Sequence, residues 1–175
     1  MFTVRNSDHA LSLSARTATA DLKAGMIVAF VQNTSTVAGE QPLVRKATLA
    51  EITDPTIQKG LVDFIVEDSL AVDFDISLVD QTLSPTTNAH NATPVIPLGS
   101  QVNVWMGKLV VSYHSADLPA ALLPTAVREG ARVAFNNTTN LPAIYNSGGA
   151  DGSQTPVGIV YRIDGPEVSM LVTLA

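Results

Sequence analysis

The sequence predicts an all-β protein: an antiparallel β-barrel or sandwich with long loops and an extended N-terminal arm. Three observations predict it. First, short apolar β-branched runs alternate with Gly and Pro punctuation, 11 Gly and 10 Pro in 175 residues, and no long stretch carries a helical period. Second, one phrase is used twice. Leu22-Lys23-Ala24-Gly25-Met26-Ile27-Val28-Ala29-Phe30 returns as Val127-Arg128-Glu129-Gly130-Ala131-Arg132-Val133-Ala134-Phe135. Each copy is followed by an Asn/Thr-rich turn and, further on, by a Gly-apolar-Val phrase, Gly60-Leu61-Val62 and Gly158-Ile159-Val160. Gly permits a tight bend, and the Val and Phe that follow are strand formers. Third, Val72, Phe74, Ile76 and Leu78 alternate with Asp73, Asp75 and Ser77, the pattern of a half-buried strand with an acidic solvent face.

In chain order, residues 1–16 are Ser-rich with no sustained period and read as an extended arm, leaving residues 17–175 as the barrel domain. Residues 26–31 and 43–49 read as strands. Thr48 and Glu51 resemble a capping box, but Pro55 limits any helix to a short turn. Residues 60–66 read as a strand, and about 81–97 as an irregular excursion of Thr, Asn and Pro. Residues 101–106 and 108–113 read as a hairpin turned at Met106-Gly107, after a weaker third copy of the phrase at Gly99-Ser100-Gln101-Val102-Asn103-Val104. Two prolines bracket residues 119–124, which read as a connector. Residues 141–145 read as a short strand and 147–154 as a flexible loop. Residues 156–161 and 168–174 form a closing hairpin about Asp164-Gly165-Pro166. In the duplicated phrase, Gly25, Val28 and Phe30 should match Gly130, Val133 and Phe135 on equivalent strands of the barrel, with both Phe rings buried.

Composition narrows function. Charged residues are only 15%, aromatics 5%, and the net charge is −6. No basic cluster exceeds Arg45-Lys46, so direct nucleic-acid binding is not expected. A chain without cysteine has neither disulfides nor thiolate zinc sites. The first residues lack an apolar signal core, and the longest apolar run is far too short for a bilayer. The expectation is a protein made in a cytoplasm, with no membrane partner.

The search for chemistry returns little. His9, His90 and His114 share no metal-ligand spacing. The carboxylates Asp63, Glu67, Asp68, Asp73, Asp75 and Asp80 are crowded, but no calcium-loop spacing is present, and an acidic strand face accounts for them. The expectation is therefore no catalytic residues, cofactor or metal. The partner-binding candidates are Phe2, Val4, Leu11 and Leu13, which alternate with polar residues in the arm and could add a strand to a neighbouring sheet. Trp105, the single tryptophan, is either a cap on the core or an interface anchor.

Taken in order, the phrases Ala24-Gly25-Met26-Ile27-Val28, Val44-Arg45-Lys46-Ala47, Gly60-Leu61-Val62, residues 99–105, Gly107-Lys108-Leu109-Val110-Val111, residues 130–135, Pro156-Val157-Gly158-Ile159-Val160 and residues 168–174 form a pattern. It resembles that of the cement, or decoration, proteins of tailed-bacteriophage capsids. The likeness spans residues 20–175 in short apolar motifs. It implies a structural virion protein on the outer capsid surface, commonly a homotrimer, that ties neighbouring major capsid subunits together. Two other readings stay open: a carbohydrate-binding module of a tail or fibre, which needs an exposed aromatic platform, and a carboxylate- or metal-dependent hydrolase using the 63–80 acids.

Overall fold

The computed structural model describes residues 2–31, 41–64 and 95–174. Residues 81–94 of the excursion, the alternating strand at 72–78 and all the crowded acids except Asp63 lie outside these, while Val95–Ile96 at the end of the excursion form a short strand.

One strand organises the molecule. β7, Gln101–His114, is preceded in the chain by β1 (Phe2–Thr17), β2 (Leu22–Lys23), β3 (Ile27–Val31), β4 (Leu43–Lys46), helix α1 (Leu49–Thr53), β5 (Lys59–Phe64) and β6 (Val95–Ile96). It is followed by two 3-10 turns, then β8 (Arg132–Phe135), β9 (Pro142–Ile144), β10 (Gly158–Asp164) and β11 (Glu167–Leu174). One edge of β7 is shared in series: β5 takes Val102 to Trp105, and β11 takes Gly107 to His114. Its other edge pairs antiparallel with β1, from Gln101 opposite Arg16 to Tyr113 opposite Phe2.

The pairings β1–β4–β3–β5–β7–β1 close on themselves, so five strands form a small barrel, all antiparallel except the β1–β4 seam. Alternation fills it. Ala15, Val28, Val44, Val62, Val102, Val104 and Met106 point to one buried cluster, together with Leu22 and Ile96 of the β2–β6 ribbon. The opposite faces of the same strands feed a second, larger core. Ile27, Ala29 and Leu61 leave the barrel wall on its outer side and meet Leu109, Val111 and Tyr113 of β7, Val168, Met170 and Val172 of β11, Val160 of β10, and Val133 and Phe135 of β8. Leu118, Leu122 and Val127 from the connector and Ile52 from α1 close this core. The all-β expectation is met: a closed barrel and an open sheet of β7–β11–β10–β8–β9 share one strand.

The duplicated phrase is a duplicated hydrogen-bonded frame. Met26 N–H donates to Lys23 O and Ala131 N–H to Arg128 O, both at 3.1 Å, which makes the same four-residue turn twice. Gly25 and Gly130 sit at its third position with φ of 85° and 84°, the left-handed region that Gly alone enters freely. Gly25 N–H reaches Val62 O at 2.7 Å and Gly130 N–H reaches Val160 O at 2.8 Å. Val28 pairs with Gly60 and Lys46, and Val133 pairs with Gly158 and Ile144. The strands are equivalent, but only β3 belongs to the barrel. Val28 faces the barrel lumen, whereas Val133 and Phe135 face the second core. Phe135 is fully buried and Phe30 only half-buried, packed on the barrel cluster, so the expectation of two buried rings holds for one.

Asn140 joins the two frames. Held at φ 56° and buried, it donates from Nδ2 to Ala47 O at 2.7 Å and Ile27 O at 3.3 Å, while its own carbonyl accepts Ile27 N–H at 2.8 Å. The capping box is present: Glu51 N–H donates to Thr48 Oγ1, and Thr48 N–H to Glu51 Oε2 at 2.8 Å. Glu51 also takes a bidentate pair from Arg45, both bonds 2.8 Å, which locks α1 to β4. Burial pushes the Glu51 carboxyl up, but Arg45 and Thr48 outweigh it and hold it below its ordinary value.

Three expectations are corrected. The 1–16 arm is extended, but it is β1, hydrogen-bonded along β7, and a boundary at residue 17 cuts through the barrel wall. No hairpin turns at Gly107: the strand runs straight through, because Ala10 on one side and Leu174 on the other hold Gly107 in the sheet. The 147–154 loop is tied down, with Asn146 N–H donating to Ser153 O at 3.0 Å, Asn137 N–H to Asp151 O at 2.7 Å, and Gly152 buried.

Candidate interaction surface

The partner-binding candidates divide by burial. Phe2 is 5% exposed and lies tilted against Tyr113, ring centroids 5.1 Å apart. Tyr113 in turn donates its hydroxyl to Gly25 O at 2.6 Å, and burial pushes its pKa well up. Phe2 is a core residue, and Val4 packs half-buried beside it, so neither is offered to a partner. Trp105 leans from the barrel wall into the second core as a half-buried cap, its Nε1 buried and without a hydrogen-bond partner among the described residues. Leu11 and Leu13 are different: 56% and 38% exposed, with Ser12 and Ser14 exposed between and after them. Four successive exposed residues in a strand mean that, among the described residues, neither face of β1 is fully covered there.

A second feature lies on the outer face of the open sheet. Arg5 Nε donates to Ser112 Oγ at 3.1 Å, the Ser112 and Ser169 hydroxyls are 2.6 Å apart, and the Arg5 guanidinium pairs with Glu167. Beside them Arg162 meets Asp164 at 3.3 Å. With Tyr161, 59% exposed, these groups line an open depression of about 220 Å³. No sequence signal marks it, since Arg5 and Glu167 stand at opposite ends of the chain and meet only because β1 and β11 flank β7.

Among the described residues no group of three or more His, Cys, Asp or Glu is placed to hold a metal ion. His114 Nδ1 accepts Ala116 N–H at 3.1 Å and so caps a 3-10 turn. No helix of the described chain is long and apolar enough to cross a membrane.

What the fold defines is an all-β protein with exposed leucines on β1 and a shallow polar depression lined by Arg5, Tyr161 and Glu167. No protein-family model matches the chain, and no curated protein does. Among solved structures it is similar to the head fiber gp8.5 N base of bacteriophage phi29, with 12% identity over 94% of each chain and a TM-score of 0.43.

Proposed function

We propose that this chain is a structural protein of a bacteriophage virion, a cement or decoration protein that binds the outer face of the capsid and ties major capsid subunits together. The observation that carries the reading is where the family-like phrases fall. Seven of them, 24–28, 44–47, 60–62, 99–105, 107–111, 130–135 and 168–174, lie on or lead into strands of one nine-stranded sheet, and 156–160 leads into β10. The phrases that resemble those of decoration proteins thus gather on the strands of a single sheet. The surface supports the same role: apolar groups are exposed at Leu11, Leu13, Ile159 and Tyr161 on a chain of low charge density, which suits many modest contacts repeated over a shell. No cofactor, nucleic acid or membrane enters the proposal.

The test is to mix purified protein with undecorated shells of the phage that encodes it and to measure occupancy and shell melting temperature. Saturable binding at a fixed ratio to the capsid subunit, with a raised melting temperature, is expected. Absence of the protein from purified virions would overturn the reading. A second reading, a tail or fibre sugar-binding module, rests on Tyr161 in its polar depression. It requires glycan binding that Tyr161→Ala abolishes.

A further inference from the structure

We infer that the depression on the outer face of the open sheet binds one neutral pyranose ring, a ligand class that rests on the glycan-binding reading of Tyr161 given above. An irregularity in β10 makes the site. Val160 pairs with Met170 and Arg162 with Ser169, so Tyr161 is an extra residue with no partner on β11. In an unbroken strand, successive side chains alternate between the two faces. Here Val160 is fully buried in the second core and Ile163 packs against that core, while Tyr161 and Arg162 between them are both exposed. Regular alternation from Val160 would turn Arg162 inward and Ile163 outward, and the bulge reverses both. It delivers an aromatic ring and a guanidinium side by side to one face, the re-aiming that bulges beside functional sites perform.

The charges around the depression fit a ligand that has none. Arg5 pairs with Glu167 and Arg162 with Asp164, so the four cancel in pairs. An anion would meet a carboxylate beside each guanidinium, and a cation a guanidinium beside each carboxylate. What remains is a set of donor forks next to acceptor pairs, with the Ser169 hydroxyl able to act as either. A sugar hydroxyl also donates and accepts, so a ring carrying several of them matches this mixture. Arg5 is braced for the role: its Nε donates to the Oγ of Ser112, which is buried and lies 2.6 Å from the Ser169 hydroxyl.

The apolar part of the site matches the other side of such a ring. Half-buried Val110 lies at the base, and Tyr161 leaves a flat ring 59% exposed beside it, an apolar body with a polar tip. A pyranose has a face of C–H groups and a rim of hydroxyls, so its face covers the tyrosine while its rim reaches the charged groups. Cross-strand ion pairs alone would need neither the bulge nor the exposed ring. The volume of about 220 Å³ is below the range of about 300–1,000 Å³ that drug-sized ligands occupy, which sets the site at one ring with the rest of a glycan outside it. So few ligand atoms in an open site give a dissociation constant on the order of 1 mM for the single sugar, raised in effect by repetition over a shell.

The test is nuclear magnetic resonance titration of the full, isotope-labelled chain with the methyl glycosides of glucose, galactose, mannose and N-acetylglucosamine. N-acetylneuraminic acid and inorganic phosphate are run as anionic probes. At least one neutral glycoside should shift the amides around Val110, Tyr161, Arg162, Glu167 and Ser169 and saturate in the millimolar range. Tyr161→Ala should weaken that binding at least tenfold, Tyr161→Phe should keep it within about threefold, and Leu98→Ala, exposed on a different strand connection, should leave it unchanged. Glu167→Gln uncovers the Arg5 charge, so N-acetylneuraminic acid should gain affinity relative to the neutral glycoside. Tighter binding of N-acetylneuraminic acid than of every neutral glycoside by the wild type overturns the neutral-ligand inference but leaves the glycan-binding reading standing. Binding of phosphate alone, or shifts confined to residues outside the depression, overturns both. So does the absence of any shift at about ten times the expected dissociation constant. If Tyr161→Ala fails to fold, the wild-type shift map alone decides the location.

Discussion

Gly25 and Gly130 form a matched pair for measuring what tertiary packing adds to a turn. Both occupy the third position of the same turn at φ near 85°. Alanine at either site incurs the left-handed penalty, about 1–2 kcal/mol. Here the likeness ends. A Cβ at Gly130 would meet nothing within 4 Å, whereas at Gly25 it would lie 2.5 Å from Tyr113 Cε1 and 2.7 Å from Phe2 Cδ2. Neither ring can withdraw cheaply. Phe2 and Tyr113 are both buried, and Tyr113 is anchored through its hydroxyl to Gly25 O itself. Overpacking of this kind costs about 1–3 kcal/mol, and a strained buried hydrogen bond adds about 1 kcal/mol. Gly130→Ala should therefore cost about 1–2 kcal/mol, and Gly25→Ala about 2–4 kcal/mol more. In a chain of this size that gap is roughly 4–16 °C in melting temperature. The assay is urea unfolding of both variants at one fixed protein concentration, with free energies taken from midpoints at unchanged slope. Equal losses within about 0.5 kcal/mol would refute the packing account, and a larger loss at Gly130 would reverse it.

Four further outcomes are expected. Phe135→Ala should cost about 3–5 kcal/mol, but Phe30→Ala, in the equivalent strand yet half-buried, roughly 1–2 kcal/mol, both by denaturant unfolding. Removing residues 1–16 should abolish cooperative unfolding seen by circular dichroism, because it deletes a barrel wall; a folded, two-state truncated barrel would contradict the β1–β7 pairing. Asn140→Ala should cost about 1–3 kcal/mol by removing the donor to Ala47 O, while Ile27 O keeps the Ala47 N–H. Glu51 has a folded pKa below its ordinary 4.5, so its stabilisation is fully present above about pH 4.5 and is lost as pH falls through the folded value. The melting-temperature gap between wild type and Glu51→Gln should accordingly be open at pH 7 and narrow as the pH falls below 4.5.

Legibility followed the range of the interaction concerned. β3, β5, β8, β10 and β11 could be read because their apolar β-branched runs and glycine boundaries are local. The Thr48–Glu51 box could be read because three residues carry the whole motif. β1 could not. Leu11 and Leu13 alternate with Ser12 and Ser14, but all four are exposed, so the alternation points to no core, and the strand's partner lies about a hundred residues away. Gly107 suggested a reversal because nothing near it in the chain shows that strands flank it on both sides. Phe30 and Phe135 carry one local signal and have two different fates, since equivalent strands border different cores. At the surface, Leu11 and Leu13 could be picked out as apolar residues in a polar context. The depression around Arg5, Tyr161 and Glu167 could not, because the topology alone assembles it.

The β1–β7 ladder also dictates an order of events during synthesis. Arg16 pairs with Gln101, and Phe2 with Tyr113, separations of 85 (101 − 16) and 111 (113 − 2) residues. At about 5–20 residues per second, the ribosome makes β7 roughly 4–20 s after β1. In that interval β3, β4 and β5 can assemble as a local three-stranded sheet with β3 in the middle, but the barrel has no fifth wall and the second core has no floor. The first strand made is thus among the last to dock, and closure of so many distant contacts at once makes this a slow-folding topology. A nascent chain of this protein therefore carries an unpaired strand until β7 emerges, and chaperone dependence should concentrate in that window.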